Sequence, residues 1–317
     1  EMAGAGLDDK GDNNRVYHNI IHDCLGDGIS SFQQAEDSEY YGNLIFNNGW
    51  WAPRVLGESA LGNGHGIYTQ NAAPSTKTVE ANLFINAYSS PIKGAGTGSA
   101  KVENYDLTDN VSINGTFYYD VGGSSVDNVN LLREKVWGQT VALGYATSDN
   151  RTASIIDSYL AGSDLPVNLS DFNSIVSTGN TLAGASGASG PVITRIRTGQ
   201  SFASSSVNNN TYYHNRVGTD LVFFQSNVTG GALSAETFAN WKSITGWDAA
   251  STYVVSGTTY QTPTTNQVFV VPMDKYLTNK GYIVVYNWEN LNTFDADLSS
   301  IMANGVQYSI FSASNFF

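Results

Sequence analysis

The sequence predicts an all-β protein: a right-handed parallel β-helix, or solenoid, followed by a short helix and a small antiparallel β module. A short phrase, Asn followed by strand-forming residues, recurs along the chain. Abundant Ser, Thr and Asn with 32 Gly favour turns over helices. The closing residues alternate between apolar and polar positions as antiparallel strands do. The phrase occurs at Asn19, Asn43, Asn82 and Asn110, with looser copies at Asp157 and Asn180.

The spacing of the phrase gives the length of the repeat. Successive intervals are 24, 39, 28, 47 and 23 residues. We interpret the interval of 47 as two coils, with a degenerate copy near Val129 to Leu132. The interval of 39 contains a 14-residue insertion, because Ile29 and Ile92 follow their Asn by ten residues whereas Ile67 follows Asn43 by twenty-four. Short strands and turns repeating every two dozen residues are typical of stacked coils.

The repeated Asn residues are predicted to be structural. Asn tolerates the left-handed backbone that a sharp turn between strands needs. Stacked Asn amides can also hydrogen-bond from one coil to the next. We therefore expect an Asn ladder along the solenoid and no ligand at these positions.

Three segments follow from the pattern. Coils extend over residues 1–232. Residues 233–261 hold a helix and a linker, since Ser234 can cap a helix in which Trp241 lies at an apolar position. Residues 262–317 form the antiparallel β module, with strands predicted at 268–271, 282–286 and 307–311.

Charge and hydropathy exclude two classes of partner. The formal net charge is −13 and the chain is acidic overall, so clustered Lys and Arg for a phosphate backbone are missing. Nucleic acid is therefore not expected as a partner. No segment approaches the roughly 18 continuous apolar residues of a membrane span, and the first residues do not form a signal peptide.

Several phrases resemble a known group of proteins. They are Asn19 to Gly28, Asp37 to Trp50, Gly64 to Asn71 (Gly-His-Gly-Ile-Tyr-Thr-Gln-Asn), Trp241 to Asp248 (Trp-Lys-Ser-Ile-Thr-Gly-Trp-Asp) and Val284 to Trp288. Together with the closing segment, Val268 to Phe317, they resemble secreted bacterial right-handed parallel β-helix proteins of the pectate-lyase-like superfamily. The resemblance implies an extracellular or cell-surface location and a polysaccharide partner, through the lyases, glycosidases, epimerases and phage tailspikes that share the fold.

One shorter phrase resembles the β-helix polygalacturonases. Gly64-His65-Gly66 is similar to their Gly-His-Gly, and Ile92-Lys93 is faintly similar to their Arg-Ile-Lys. The Asp-Asp pair and the Asn-Thr-Asp that should precede the phrase are absent from this sequence. This departure argues against the hydrolase.

The repeat brings a few chemistry-bearing residues together. Aligning the three isoleucines places Asp27 next to His65 on neighbouring coils, with Ser90 on the following one. One residue past the isoleucines the alternation turns outward, which gives a surface row of Ser30, Tyr68 and Lys93. The coil spacing of about 4.8 Å puts equivalent residues within side-chain reach.

The insertion is predicted to leave the solenoid beside this row. It carries Trp50, Trp51, Arg54 and Glu58. A lyase acting on a uronic-acid polymer needs a base for the C5 proton, which Tyr68, His65 or Lys93 could supply. Arg54 could neutralise the sugar carboxylate. Trp50 or Trp51 would stack on a sugar ring, with Glu58 also assigned to substrate binding.

A hydrolase would need a different set of groups. Its two carboxyls must lie on opposite sides of one bond, and the clustered candidates are Asp23, Asp27 and Glu58. Other interpretations also stay open. Asp27 and His65 could form an interior hydrogen-bonded pair, Tyr68 could belong to an aromatic ladder, and Lys93 could be a solvated surface lysine.

No cofactor is predicted. His18 and His22 lack a third ligand at metal-binding spacing. Calcium binding through Asp23, Asp27 or the pair Glu36 and Asp37 stays an open alternative, with no EF-hand or nonapeptide pattern behind it.

The sequence therefore predicts one of two functions. The first is an extracellular β-helix protein that engages a polysaccharide, with polysaccharide lyase or glycosidase as the activity if the protein is an enzyme. The alternative is a structural or adhesive building block of an extracellular filament or virion spike, without catalysis. The alternative rests on the first coil, where Arg15 to Ile21 would expose strand edges and apolar side chains that self-association could cover.

Overall fold

The computed structural model describes residues 4–50, 53, 57, 64–96, 100–115, 119–123, 125–144, 150–187, 190–195, 202–221, 223–226 and 234–313. The chain forms two compact units, Glu1–Thr264 and Thr265–Phe317. The first is a parallel β-solenoid built from three sheets, and the second contains a two-stranded antiparallel sheet. The predicted fold class is thereby confirmed, whereas the segment boundaries after residues 232 and 261 stay predictions.

Each coil of the solenoid contributes one strand to each of three sheets, which we call A, B and C. Sheet A contains β1 (Leu7–Asp9), β4 (Ile29–Ser31), β7 (Ile67–Thr69), β10 (Ile92–Gly96), β13 (Tyr119–Gly123), β16 (Val141–Leu143), β19 (Val167–Ser170), β22 (Val192–Arg195), β25 (Phe223–Ser226) and β26 (Ser234–Glu236). All its pairings are parallel except the last, in which β26 runs antiparallel to β25.

The other two sheets are parallel throughout. Sheet B contains β2 (Arg15–Tyr17), β5 (Glu39–Tyr41), β8 (Lys77–Glu80), β11 (Val102–Thr108), β14 (Val126–Leu132), β17 (Asn150–Ile156), β20 (Phe172–Thr178) and β23 (Ser206–Asn208). Sheet C contains β3 (Ile20–His22), β6 (Leu44–Phe46), β9 (Leu83–Ala87), β12 (Val111–Gly115), β15 (Lys135–Trp137), β18 (Tyr159–Ala161), β21 (Thr181–Ala183), β24 (Thr211–Tyr213) and β27 (Thr252–Val254).

The solenoid interior is filled by inward rows from all three sheets. Ile29, Ile67 and Ile92 stack in sheet A and are completely buried. Leu107 and its register partners fill sheet B in the same way, as Phe84 and its partners do in sheet C. Because strand side chains alternate between two faces, this inward row fixes the outward one.

The Asn ladder lies at the turn between sheets B and C. The Oδ1 of Asn43 accepts the backbone N–H of Asn19 at 3.0 Å, and the Oδ1 of Asn82 accepts that of Asn43 at 2.9 Å. The Oδ1 of Asn110 accepts the N–H of Asn82 at 3.0 Å. The predicted structural role is confirmed, but the ladder residues are not themselves left-handed. The left-handed residue is the one before each of them, as in Ala81 with φ of 53°.

The missing copy of the phrase is Glu134, not a residue near Val129 to Leu132. Glu134 is fully buried, and its Oε1 accepts the N–H of Asn110 at 3.3 Å. Its own N–H donates to Ser158 Oγ at 3.0 Å. Val129 to Leu132 lie instead in strand β14 of sheet B. The ladder therefore requires a side-chain oxygen in each coil, and Asn is one of several residues that provide it.

The helix after the coils is α1 (Phe238–Thr245). It starts later than predicted, because its N-cap is Thr237, whose side chain accepts the N–H of Asn240 at 3.2 Å. Ser234, the predicted cap, belongs to strand β26. Gly246 ends the helix in a left-handed conformation with φ of 72°. No helix within the described part of the chain has the length and apolarity to cross a membrane.

The second unit contains strands β28 (Gln267–Pro272) and β29 (Gly281–Tyr286), which pair antiparallel. The third predicted strand, at 307–311, is wrong. Residues 306–312 have no regular structure, and Ile310 and Phe311 are 66% and 70% exposed. Alternating side chains alone do not make a strand, since a strand also needs a neighbouring backbone to bond with.

The first coil has one buried and two exposed apolar side chains. Val16 is 8% exposed, whereas Tyr17 and Ile20 are 45% and 48% exposed. Strand β1 lies before this coil and extends sheet A by pairing with β4. Self-association through the first coil stays a prediction.

Candidate functional site

The predicted outward row of sheet A forms in register, but Ser30 at its start is buried and not on the surface. Ser30 pairs in register with Tyr68, and Tyr68 with Lys93. The next strand adds Asp120, which pairs with Lys93. We call Ser30, Tyr68, Lys93 and Asp120 the Tyr68 row. Each member lies one coil from the next, about 4.8 Å along the solenoid axis.

Tyr68 is the aromatic member of this row. Its hydroxyl accepts a hydrogen bond from Gln70 Nε2 at 3.1 Å, and the same Gln70 group donates to the carbonyl of Ala95 at 3.1 Å. The ring centroids of Phe32 and His65 lie 5.7 and 5.9 Å from that of Tyr68. The register neighbours of Tyr68 are Ser30 and Lys93, so the row is not an aromatic ladder. The half-buried ring is held by its contacts while its hydroxyl position is set by Gln70.

Lys93 donates a short charge-assisted hydrogen bond to the carboxylate of Asp120. Both side chains are partly shielded, with exposed fractions of 28% and 18%. Burial raises the pKa of Asp120, and the ammonium of Lys93 lowers it in part. Lys93 is therefore a paired cation and not an isolated surface lysine. The spacing of the repeat does not reveal this partner: Asp120 follows Asn110 by ten residues, the offset of the inward Ile29 and Ile92, whereas Lys93 follows Asn82 by eleven.

Asp27 and His65 lie on adjacent coils as predicted. Asp27 Oδ1 accepts the backbone N–H of His65 at 2.8 Å, and its Oδ2 accepts the hydroxyl of Ser30 at 3.3 Å. The backbone N–H of Ser90 donates to His65 Nδ1 at 3.3 Å. Asp27, His65 and Ser90 are all buried. These groups form a buried hydrogen-bonded chain that contacts the Tyr68 row, and Asp27 contacts the main chain of His65.

Burial shifts both titratable groups of this chain toward their neutral forms. It raises the pKa of Asp27 to about 7, and the hydrogen bonds from His65 and Ser30 lower it in part. Burial and the nearby charge of Lys93 lower the pKa of His65 to about 4. His65 is therefore neutral at pH 7. Since its Nδ1 accepts a hydrogen bond, its proton is on Nε2.

Replacing Asp27 by Asn should change how stability depends on pH. Between its ordinary pKa of 3.8 and its folded pKa of about 7, the folded state keeps a proton that the unfolded state releases. The stability that Asp27 contributes is complete below pH 3.8 and is lost as the pH rises through 7. Relative to wild type, the unfolding free energy of Asp27→Asn should therefore increase from pH 4 to pH 7. One proton limits this slope to about 1.4 kcal/mol per pH unit.

His65 changes the unfolding free energy in the opposite direction over the same pH range. Because its folded pKa lies below the ordinary value of 6.5, the stability that His65 contributes to the fold is lost as the pH falls. Comparison of the variant with wild type by urea denaturation isolates the Asp27 contribution from it. Asp12→Asn, at an exposed carboxylate, is the matched control. Parallel curves for wild type and Asp27→Asn would contradict the prediction.

Of the four insertion residues assigned to the site, only Trp50 belongs to the described residues. Trp50 donates its indole N–H to the carbonyl of Asn86 at 2.8 Å and packs edge-on against Tyr88, with ring centroids 5.0 Å apart. Tyr88 directly follows strand β9, so Trp50 lies at the turn from sheet C toward sheet A and not on the Tyr68 row. Trp51, Arg54 and Glu58 lie outside the described residues, and their assigned roles stay predictions.

Of the carboxyls predicted for a hydrolase, Asp23 and Asp27 engage different partners, and Glu58 lies outside the described residues. Asp23 lies after strand β3 and bonds with His22 at 2.9 Å, on the sheet C side. Asp27 and Asp120 flank the Tyr68 row, but three coil steps separate their strands, about 14 Å. An inverting enzyme needs about 6.5–9.5 Å and a retaining enzyme about 5–5.5 Å.

No cluster of three or more His, Cys, Asp or Glu side chains suited to a metal ion occurs in the part of the chain that the structure describes. Comparisons with models of protein families, with curated proteins and with solved structures give no match. The function must therefore be argued from the site itself.

Proposed function

We propose that this protein engages a polysaccharide on the outer face of sheet A and that its activity is β-elimination at a uronic acid. The observation that carries the proposal is the register of Tyr68, Lys93 and Asp120, which places a phenol, an ammonium and a carboxylate side by side on three neighbouring strands. An extracellular setting, secretion by a bacterium and kinship with the pectate-lyase-like superfamily are part of the same proposal.

The groups of the row divide the chemistry between them. A lyase must remove the C5 proton of a uronic acid and stabilise the negative charge that develops on the sugar carboxylate. The ammonium of Lys93 is a hydrogen-bond donor engaged with an anion, so it suits the sugar carboxylate better than the proton. Tyr68, whose oxygen is oriented by Gln70, then takes the C5 proton as the C4–O glycosidic bond breaks and the C4–C5 double bond forms, and it returns that proton to the leaving oxygen.

Asp120 regulates the availability of Lys93 in this scheme. A sugar carboxylate that binds Lys93 must compete with Asp120 for the ammonium, or share it. The raised pKa of Asp120 makes its charge the easier one to neutralise when a second anion approaches. His65, neutral and below the row, contributes a ring contact to Tyr68 and no charge.

The experiment is a lyase assay on a panel of uronic-acid polymers, following the ultraviolet absorbance of the unsaturated product. Tyr68→Phe and Lys93→Ala should each lower the rate at least about 100-fold, the lower end for loss of a general acid or base. Thr78→Ala, on the outward face of sheet B, is the control and should keep the wild-type rate.

The outcomes separate binding from catalysis. Loss of product with retained binding of the polymer in affinity electrophoresis would support the assigned roles. Wild-type protein that binds a uronic-acid polymer without forming product would leave polysaccharide engagement and withdraw the lyase. If no polymer in the panel either binds or reacts, the function proposed for the Tyr68 row is wrong.

A further inference from the structure

A second outward row runs along sheet C. Strands β3, β6, β9, β12 and β15 pair in register, and each carries an apolar or aromatic outward residue at the same register position. Phe46, Ile85 and Ile113 are partly exposed, and Trp137 is 38% exposed. The alternate residues of the same strands, such as Phe84 and Val136, face the core. We call this surface the Trp137 row: His22, Phe46, Ile85, Ile113 and Trp137.

The aromatic rings at the two ends of the row are held in place. His22 and Phe46 stack face to face, with centroids 4.8 Å apart and an interplanar angle of 3°. The indole of Trp137 lies against the turn at Gly162, where an added Cβ would come within 3.0 Å of the indole carbons. Gly162 therefore leaves room for the indole to lie flat on the turn. Rings fixed in this way lose little conformational entropy when a ligand covers them.

A row of polar groups accompanies the Trp137 row. The residue after each outward side chain has a left-handed backbone, with φ of 50° at Asp23, 54° at Asn47, 51° at Asn86 and 53° at Asn114. Asn86 Nδ2 lies 3.5 Å from Asn47 Oδ1, and Asn86 and Asn114 are exposed. We call Asn47, Asn86 and Asn114 the amide row. Donors and acceptors thus repeat once per coil beside an apolar surface.

The size of this surface argues against a second copy of the chain as its partner. A Trp side chain presents up to about 250 Å², so five residues exposed like Trp137 would offer under about 500 Å². A stable interface needs about 800 Å² from each partner, and on the inner side the row is bordered by buried residues such as Leu83 and Val111. The surface is long and narrow, which suits a thin extended ligand.

We propose that the Trp137 row and the amide row form a second binding surface, for an uncharged linear polysaccharide lying along the solenoid axis. Sugar rings present apolar C–H faces and a rim of hydroxyls, which match the apolar row and the amides beside it. Asp23 occupies the equivalent position in the first coil, paired with His22, but no Lys or Arg belongs to either row, so an anionic polymer finds no lysine or arginine here to offset a net charge of −13. The coil spacing of about 4.8 Å is comparable to the length of one sugar unit.

This surface is separate from the Tyr68 row, and the inference does not depend on the function proposed there. A solenoid that holds a neutral wall polymer on sheet C would leave sheet A open. Trp50, at the turn between the two sheets, lies beside Asn86 of the amide row. The predicted sugar contact of Trp50 therefore fits the sheet C surface better than the Tyr68 row.

The test uses affinity electrophoresis of the full chain with soluble mixed-linkage β-glucan and neutral arabinoxylan, and titration with cellohexaose followed by Trp fluorescence. Trp137→Ala should weaken binding of the polymer that the wild type binds by at least about tenfold, equivalent to about 1.4 kcal/mol. Trp137→Phe should retain most of the affinity because it keeps a stacking surface. Val176→Ala, at a residue of sheet B that is 37% exposed, is the control and should bind like the wild type.

Several results would overturn the inference. One is the absence of binding to all three probes, and another is binding that Trp137→Ala leaves unchanged. A mass that doubles with concentration and returns to the monomer in Trp137→Ala would identify a second copy as the occupant instead. If no neutral polysaccharide binds but uronic-acid polymers are cleaved, the Tyr68 row proposal stands alone. If a neutral polysaccharide binds through Trp137 but no uronic-acid polymer is cleaved or bound, only the Trp137 row proposal stands.

Discussion

Replacing Asn82 by Ala is expected to destabilise the solenoid by about 4 kcal/mol. Asn82 is completely buried in the ladder. Its Oδ1 accepts from the N–H and the Nδ2 of Asn43, both at 2.9 Å, and its Nδ2 donates to the carbonyl of Tyr40 at 2.9 Å and to Asn110 Oδ1 at 3.0 Å. Truncation leaves these partners buried without water, at about 1–3 kcal/mol for each unsatisfied group. Urea denaturation measures the loss.

The matched control lies in the same ladder. Asn19 has the same place in its coil, but its side chain is exposed and it donates without accepting a ladder bond. Asn19→Ala should therefore cost less than about 1 kcal/mol, since water replaces the lost partners. Equal losses for Asn19→Ala and Asn82→Ala would show that the ladder bonds contribute little beyond turn geometry.

The ladder also shows what the sequence could and could not predict about the fold. Asn19, Asn43 and Asn82 were identifiable because residue type and spacing repeat together. Glu134 was not, because the turn demands an oxygen that accepts an N–H and not a particular residue. The left-handed position before the ladder is still less visible, since Ala81 and Arg133 occupy it as well as the Gly and Asn expected there.

The same reasoning applies to the candidate site. The inward isoleucines gave the register of Tyr68 with Lys93, because a slip by one residue would turn the whole apolar row outward. Asp120 escaped prediction because its strand was not aligned with the earlier coils. The position of Trp50 could not be predicted, because an insertion is released from the repeat that places every other side chain.

At the other end of the solenoid, one carboxylate connects the helix to the last coils. Asp248 is completely buried and has a left-handed backbone with φ of 58°. Its Oδ2 accepts the indole N–H of Trp241 at 2.9 Å, and its Oδ1 accepts the hydroxyls of Tyr212 at 3.0 Å and Ser251 at 2.6 Å. Trp241 and Tyr212 are themselves buried in the core. A single side chain thus satisfies a donor from the helix and a donor from sheet C.

Replacing Asp248 by Ala is expected to destabilise this end of the solenoid by about 3–5 kcal/mol, as loss of one partner from a buried polar network does. Urea denaturation gives the total loss of unfolding free energy. Relative to wild type, the variant should show a larger increase of amide hydrogen exchange in α1 than in sheet B. Asp248→Asn should cost less, because it tolerates the left-handed backbone and keeps one acceptor oxygen.

The control separates lost hydrogen bonds from backbone strain. Asn13 has nearly the same backbone, with φ of 57°, but is exposed. Asn13→Ala therefore measures the cost of placing Ala in a left-handed turn, about 1–2 kcal/mol. If Asp248→Ala costs no more than Asn13→Ala, the carboxylate is not what holds the helix to the coils. If Asp248→Ala costs more than Asn13→Ala and Asp248→Asn partly restores the excess, the difference is assigned to the bonds from Trp241 and Tyr212, because Asn13→Ala already accounts for the backbone strain of Ala.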